Sequence, residues 1–227
     1  QQFLSSTGAT NDLFGYCIAI NADGSKIAVT YATNTSINSY GKLDILTRSG
    51  NTWTRGSTIN VGVSSFRYGY NVDISADGNT VVMTGNEQLD AMGGGQPYTE
   101  VKVIGTNSGT FYTEATQTDT VFWASVRISG DGNLIVVGNA ESGNQTLAGE
   151  EGKVHLFKRV TGVWTQRARL DNFNAGQQDY FGAGLAFNYD GSILAVGTPG
   201  LDIVTQQDQE GNPTAWSINV GVVAVYR

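Results

Sequence analysis

The 227-residue sequence is poor in several residue types on which other protein classes depend. Its one cysteine, Cys17, excludes an internal disulfide, and its place in an apolar run favours a buried small hydrophobe. Its one histidine, His155, leaves no alternatives for a Ser-His-Asp set and no histidine-based metal cluster. No apolar run approaches the roughly 18 residues that a membrane-spanning helix needs. We therefore expect no membrane insertion and no cofactor.

Charged residues are also sparse, and acids outnumber bases. They make up 15% of the sequence, with 20 acidic and 13 basic residues and a formal net charge of -7. Nucleic acids and anionic membranes are bound by basic patches, so we predict neither as a partner. The hydrophobic fraction of 40% is typical of a globular protein, and the length suits one all-β domain.

What the sequence has in abundance is an internal repeat. An aromatic residue, a small residue, an apolar strand, Asp-Gly and a second apolar strand follow one another four times. The copies read FGYCIAINADGSKIAVT, YGYNVDISADGNTVVMTG, FWASVRISGDGNLIVVG and YFGAGLAFNYDGSILAVGTP. The Asp-Gly pairs are separated by 54, 54 and 59 residues, and the step that joins the last pair to the first through both termini is 60. Such a period predicts a ring of four similar units.

Each repeat is predicted to form four antiparallel strands. Asp-Gly between two apolar runs is the strongest short hairpin signal, because the turn needs a positive φ that glycine adopts without steric cost. The aspartates predicted to serve as structural turns are Asp23, Asp77, Asp131 and Asp190. The predicted fold is all-β, a four-bladed β-propeller of four-stranded antiparallel blades. It forms a single domain over residues 1–227, with repeats at about 6–59, 60–115, 116–170 and 171–227.

The fourth repeat stops after its third strand, at Arg227. We expect residues 1–5 to supply the missing strand, so that the N-terminal strand completes the last blade and closes the ring without an open edge. A β-sandwich is the alternative fold, but a sandwich does not predict a circular repeat of about 55 residues.

The four segments resemble the FG-GAP repeats of integrin α-subunit propellers and of many microbial and viral surface proteins. Phe181-Gly182 with Gly197-Thr198-Pro199 carries the likeness most clearly, and the resemblance covers essentially the whole chain. It implies a propeller that acts as an extracellular or virion-surface binding module. FG-GAP blades of integrins often hold calcium in a DxDxDG loop, whereas each turn here has a single carboxylate, and calcium takes about six or more oxygens. We therefore expect no metal site. Integrin propellers also have seven blades, so the likeness to a ring of four is limited to the repeat.

The predicted topology places the long connections at one end of the blades, which we call the long-loop end. These connections are 31–40, 86–97, 139–151 and 198–219. Long loops on a rigid scaffold are where function usually lies. Twelve of the 20 acids fall at this end: Asp12, Glu87, Asp90, Asp119, Glu141, Glu150, Glu151, Asp171, Asp179, Asp202, Asp208 and Glu210. Such a surface would attract cations weakly or a basic partner, unless the carboxylates only solvate the loops.

Aromatic residues at the same end suggest a platform for a sugar ring or a side chain, with Trp123 at the mouth of the ring. Packing between blades is the alternative role for Trp123. The candidate ligand-binding residues are Tyr31, Tyr40, Arg67, Tyr98, Trp123, Glu150, Glu151, Asp202, Asp208 and Trp216. Two sequons in the loops make Asn34 and Asn144 glycosylation candidates.

Little in the sequence indicates catalysis. Asp73 and Arg127 occupy equivalent positions in adjacent repeats, where we expect them to pair across the blade boundary, and the other two repeats have alanine there. The facing carboxylates of a propeller glycosidase are thus missing, and the sialidase pattern SxDxGxxW is not met. We predict a non-catalytic module that recognises protein or glycan on a cell or virion surface. The alternatives are a structural decoration or assembly subunit that binds neighbouring proteins and, less favoured, a propeller-type glycosidase.

Overall fold

The chain folds into β-sheets. The computed structural model describes residues 1–6, 12–31, 41–61, 66–87, 98–105, 109–115, 124–140, 152–172, 179–207, 213–217 and 220–227. Within these ranges the regular structure consists of strands, which confirms the all-β class. Over the same ranges there is no helix long and apolar enough to cross a membrane.

Three sheets of similar design are formed by the first three repeats. Sheet 1 contains β1 (Phe14–Ile20), β2 (Lys26–Tyr31), β3 (Lys42–Ser49) and β4 (Thr52–Arg55), with the short β5 (Ile59–Asn60) also pairing with β3. Sheet 2 contains β6 (Phe66–Ile74), β7 (Thr80–Glu87), β8 (Tyr98–Gly105) and β9 (Gly109–Ala115). Sheet 3 contains β10 (Ala124–Ile128), β11 (Leu134–Asn139), β12 (Lys153–Val160) and β13 (Val163–Asp171). All neighbours are antiparallel, in the predicted order.

The fourth repeat differs from the others. Its strands are β14 (Gly184–Phe187), β15 (Leu194–Thr198), β16 (Ile203–Gln207), β17 (Pro213–Ser217) and β18 (Val222–Tyr226). Sheet 4 has the order β14-β15-β18, while β16 and β17 pair only with each other among the described strands. The segment 198–219, predicted as a loop, therefore contains a two-stranded ribbon. Ile203, Val204 and Thr205 are β-branched residues, which favour a strand.

Successive sheets pack face to face and share three apolar clusters. Sheets 1 and 2 bury Ala28, Leu43, Val61, Tyr68, Val72, Ile74, Val81 and Met83. Sheets 2 and 3 bury Val82, Val101, Val103, Val126, Ile128, Ile135, Val137 and Phe157. Sheets 3 and 4 bury Val136, Val154, Phe181, Leu185, Leu194 and Val196. Because neighbouring residues of a strand point to opposite faces, the continuous apolar runs of β7 and β11 cover both faces of a middle sheet.

Hydroxyl groups strengthen each of the three boundaries. Thr30 Oγ1 donates to the Gly69 carbonyl at 2.8 Å, which joins sheet 1 to sheet 2. Thr84 Oγ1 donates to the Ala124 carbonyl at 3.1 Å, which joins sheet 2 to sheet 3. At the third boundary the donor is on β10, the first strand of sheet 3, where Ser125 Oγ lies 2.6 Å from the Gly182 carbonyl oxygen. The four sheets thus form a row with repeated contacts.

The N-terminal residues 1–5 lie elsewhere than predicted. The side-chain amide of Gln1 donates to the Trp53 carbonyl at 2.8 Å and accepts from the Trp53 amide at 3.0 Å. The Arg55 guanidinium donates to the Leu4 carbonyl. These contacts hold the segment against β4 of sheet 1, whereas the expected place was beside β18 of sheet 4. Among the described strands, β18 is therefore an edge strand and sheet 4 has three strands.

Candidate functional site

The two ends of the sheets differ in their chemistry. At one end, which we call the turn end, the Asp-Gly pairs form tight turns. Asp77 Oδ1 accepts from Ser75 Oγ at 2.6 Å and from the Asn79 amide at 2.9 Å. The Ser75 hydroxyl contributes most to lowering the pKa of Asp77 below its ordinary value of 3.8, and the Asn79 amide adds to the effect. The carboxylate therefore organises the turn, and Gly78 has a φ of 68°.

The other three turns follow the same plan. Asp131 repeats the arrangement of Asp77. Burial acts to raise the pKa of Asp131, but the hydrogen bonds from Ser129 and Asn133 together outweigh burial and lower it. Hydrogen bonds from Ser25 lower the pKa of Asp23, and those from Ser192 lower the pKa of Asp190. The four aspartates thus hold their own hairpins, as the structural interpretation of the sequence expects.

Backbone hydrogen bonds also join these turns to one another. The Ala22 amide donates to the Ala76 carbonyl at 3.3 Å, and the Ala76 amide donates to the Gly130 carbonyl at 2.9 Å. The Gly130 amide continues the series to the Tyr189 carbonyl at 2.8 Å. Each of the first three turns therefore donates to the turn of the next sheet, which makes this end a continuous hydrogen-bonded row from sheet 1 to sheet 4.

The opposite end carries the longer connections. There β2 ends at Tyr31 and β3 begins at Lys42, and β11 ends at Asn139 while β12 begins at Lys153. The ribbon of β16 and β17 lies within the corresponding connection of the fourth repeat. The predicted separation of short turns from long connections is thus present in the strand order.

A buried polar cluster occupies the outer side of sheet 1 at this end. The Tyr31 hydroxyl donates to Asp44 Oδ2 at 2.6 Å, and Arg55 Nε lies 3.1 Å from the same oxygen. The guanidinium also lies over the rings of Phe3 and Phe14, at 5.4 and 4.9 Å from their centroids. Asp44 and Tyr31 are fully buried, so the positive charge of Arg55 compensates a carboxylate that water does not reach.

The linker before β1 is attached to the same cluster. Asp12 accepts from Ser5 Oγ at 2.6 Å and forms an ion pair with Lys42 Nζ at 3.4 Å. Ser6 Oγ lies 2.9 Å from the Tyr31 hydroxyl. These contacts connect the N-terminal segment, the linker and two strands, so the cluster has a structural role in holding the segment.

The equivalent linker before sheet 4 is fixed in a similar way. Asp179 is buried and accepts from Asn172 Nδ2 at 2.7 Å, and its carbonyl accepts from the Gly200 amide at 3.1 Å. Asp12 and Asp179 were both counted in the acidic surface predicted at the long-loop end. Because both carboxylates are buried and hydrogen-bonded, they do not contribute to a surface that a partner can contact.

The structure brings few of the predicted ligand-binding residues together. Tyr31 is buried, so its ring is not available to a ligand. Asp202 is partly exposed and follows β15, Arg67 lies in β6, Tyr98 in β8 and Trp216 in β17. Outside the described residues lie Tyr40, Trp123, Glu150, Glu151 and Asp208, together with the glycosylation candidates Asn34 and Asn144.

The predicted Asp73–Arg127 pair is replaced by other contacts across the same boundary. Asp73 Oδ2 accepts from the Ile128 amide at 2.9 Å, and Arg127 Nη1 donates to Asn71 Oδ1 at 2.9 Å. Among the ion pairs of the described residues, none joins Asp73 to Arg127. Burial raises the pKa of Asp73, and the hydrogen bonds from the Ile128 and Ile74 amides and the charge of Arg127 oppose this rise.

Sequence reasoning missed Asp44, Arg55 and Lys42 as parts of a cluster. A signal was present, because Asp44 interrupts an apolar strand at a position where the register places it beside Val29. A charge at a core position usually has a partner of opposite sign. The partner could not be identified from the sequence, because the register pairs Arg55 of β4 with Leu46, and Arg55 reaches Asp44 two residues further along β3.

The single histidine is also part of the core. His155 is buried in β12, with Nδ1 3.2 Å from Gln166 Nε2. Over the described ranges, no three His, Cys, Asp or Glu side chains lie close enough together to hold a metal ion.

No family model matches this chain, and no curated protein sequence matches it. A crystal structure of Sqt1 from Chaetomium thermophilum aligns with a TM-score of 0.50 at 13% identity, over 92% of this chain and 50% of that chain. A candidate 6-phosphogluconolactonase from Bacteroides uniformis aligns with a TM-score of 0.49 at 10% identity, over 92% and 56%. The chain therefore spans about half the length of these solved structures. At this level of identity the likeness shows an all-β, propeller-like fold.

Proposed function

We propose that this chain is a non-catalytic binding module that recognises a protein or a glycan through its long-loop end, on the outside of a cell or virion. The carrying observation is the difference between the two ends. The turn end is a continuous row of short hairpins, in which each carboxylate is used by its own turn. The connections of the long-loop end are longer and more varied in sequence, and long loops on a rigid scaffold are where recognition usually lies. The resemblance to FG-GAP repeats supports an extracellular or virion setting.

The acidic part of the proposed surface comprises Glu150, Glu151, Asp202 and Asp208, since Asp12 and Asp179 are engaged in the fold. Four carboxylates on the long-loop end would favour a partner with a basic patch or a ligand bound through cations. Trp216 in β17 and Trp123 would supply the aromatic contacts that a sugar ring needs.

A glycan-array screen, run with calcium and with chelator, tests the glycan form of the proposal. Specific binding that is lost in Trp123→Ala or Trp216→Ala would place the site at the long-loop end. For a protein partner, the set Glu150→Gln, Glu151→Gln, Asp202→Asn and Asp208→Asn should weaken binding. The matched control removes the same number of charges from the turn end, through Asp23→Asn, Asp77→Asn, Asp131→Asn and Asp190→Asn. Equal loss of binding in the two sets, or no loss in either, would contradict the proposal.

A second candidate is a structural subunit that assembles with neighbouring proteins. Apolar side chains at both ends of the row of sheets favour it, because Ile18 of β1 and Val223 of β18 are each 65% exposed. Association without a soluble ligand would favour this candidate.

A further inference from the structure

Sheets 1 and 4, the first and last sheets of the row, each have one apolar face that is exposed. The equivalent faces are buried wherever two sheets of the chain pack together. Ile18 of β1 lies five residues before its Asp-Gly pair and is 65% exposed. The residues at the same position in sheets 2, 3 and 4 are Val72, Val126 and Leu185. All three are 6% exposed or less, because the preceding sheet covers them. Sheet 1 therefore has the same apolar surface as the sheets that follow it, but none of the described strands covers that surface.

The last sheet shows the complementary situation. Val223 of β18 pairs with Gly197 of the second strand and is 65% exposed. The corresponding residues of sheets 1, 2 and 3 are Leu43, Val101 and Val154. Each of these is fully buried against the following sheet. Sheet 4 therefore has the surface that receives a following sheet.

The hydrogen-bonded row at the turn end also begins at sheet 1 and stops at sheet 4. Each of its three bonds runs from an amide of one turn to a carbonyl of the next, beginning at Ala22 and ending at Tyr189. Within the described part of the chain, the Ala22 carbonyl accepts no hydrogen bond and the Tyr189 amide donates none. The last turn thus offers the donor, and the first turn offers the acceptor, that one more boundary of the same kind needs.

We propose that two copies of this chain associate head to tail, with sheet 1 of each copy packed on sheet 4 of the other, to form a ring of eight sheets. A second copy supplies both missing surfaces at once, and it extends the boundary that the fold already repeats three times. Head-to-tail contacts form a closed ring when the rotation that relates successive copies adds up to a full turn. Two copies related by a two-fold axis through the centre of the ring meet this condition.

Two further observations agree with a ring of this size. This chain aligns with 50% of the propeller-like Sqt1 chain, so a fold of this kind is found in a chain of about twice the aligned length. The N-terminal segment lies against Trp53 and Arg55 of β4, at the opposite edge of sheet 1 from β1. It therefore leaves Ile18 and Ile20 of β1 uncovered. Because these surfaces are apart from the long-loop end, association and ligand binding can succeed or fail independently.

Sedimentation equilibrium of the 227-residue chain over a wide concentration range tests the proposal. We expect a particle of twice the 24.1 kDa chain mass that dissociates on dilution. Ile18→Glu or Val223→Glu should each return the mass to one chain. Both copies carry the substitution, so each of the two boundaries between them would bury one unpaired charge. Val163→Glu is the matched control, because Val163 is 63% exposed and lies in β13, away from both ends, so it should leave the doubled mass unchanged.

A mixing experiment establishes the direction of the contact. The Ile18→Glu copy keeps its sheet 4 surface and the Val223→Glu copy keeps its sheet 1 surface. An equimolar mixture can therefore form one unchanged boundary and should recover a two-chain particle, with the second boundary, which carries both charges, left open. A single-chain mass for the unchanged protein at every concentration would overturn the proposal. So would a two-chain particle that only one of the two substitutions disrupts, or polymers longer than two chains.

Discussion

The carboxylate of Asp73 joins β6 of sheet 2 to β10 of sheet 3, and we expect its removal to lower the stability of the fold. Asp73 accepts from the Ile74 amide and from the Ile128 amide, each at 2.9 Å. Both amides belong to β6 and β10, which lie at the edges of their sheets. Leaving a buried amide without an acceptor costs about 1–3 kcal/mol. Because Asp73 is only partly buried, we expect Asp73→Ala to lower the free energy of unfolding by about 2 kcal/mol, near the middle of this range.

Asp73→Asn separates the hydrogen bond from the charge. Asparagine keeps an acceptor for the Ile128 amide and removes a charge that burial disfavours, so we expect it to stay within about 1 kcal/mol of the wild type. Burial raises the folded-state pKa of Asp73 above 3.8, so ionisation lowers stability at neutral pH and this penalty disappears as the pH falls through the folded pKa. The advantage of Asn over Asp should therefore be greatest near neutral pH and absent in acid.

Urea denaturation at fixed protein concentration measures these differences. Asp171→Ala is the control, because Asp171 is exposed and its 2.7 Å ion pair with Arg169 is expected to contribute about 0–1 kcal/mol. Equal losses for Asp73→Ala and Asp171→Ala would refute the reasoning. An Asp73→Asn variant as unstable as Asp73→Ala would show that the charge, and not the hydrogen bond, matters.

Two further substitutions test the turns and the close contacts between sheets. Asp77→Ala should lower the free energy of unfolding by about 1 kcal/mol, a small value because the turn is exposed. Since hydrogen bonds lower the pKa of Asp77, its contribution is present above pH 3.8 and is lost as the pH falls through the folded pKa, so a loss unchanged in acid would contradict this origin. Gly138→Ala should destabilise strongly, because its methyl group would overlap the Gly182 carbonyl of the next sheet. Gly197→Ala, at the same position of sheet 4, meets its nearest atom at 3.6 Å and should be tolerated; thermal melts in which the two variants behave alike would argue against the packing.

The repeat and its turns could be predicted from the sequence because their causes are local. Asp-Gly between apolar runs needs only neighbouring residues to form a hairpin, and the apolar runs of β7 and β11 reveal sheets covered on both faces. The order of strands in sheets 1, 2 and 3 follows from the same pattern.

Contacts between distant segments could not be predicted in this way. The place of residues 1–5 depends on whether Gln1 bonds to Trp53 or to the edge of sheet 4, and both are compatible with the sequence pattern. Tyr31 appeared as an aromatic residue beside a loop, whereas its hydroxyl is held by Asp44 in a buried cluster. Equal spacing of the repeats likewise predicts a ring without fixing how many chains close it.

Amide hydrogen exchange at the four turns tests most directly whether the row is open in one chain and closed by a second. The amides of Ala22, Ala76 and Gly130 donate within the row, so they should be protected at every protein concentration. The Tyr189 amide should exchange rapidly in dilute solution and become protected as two copies associate. Protection of Tyr189 in dilute solution to the level of Gly130 would contradict the account, because it would mean that a single chain closes its own ring. Rapid exchange of Tyr189 under conditions where two chains are associated would contradict it as well.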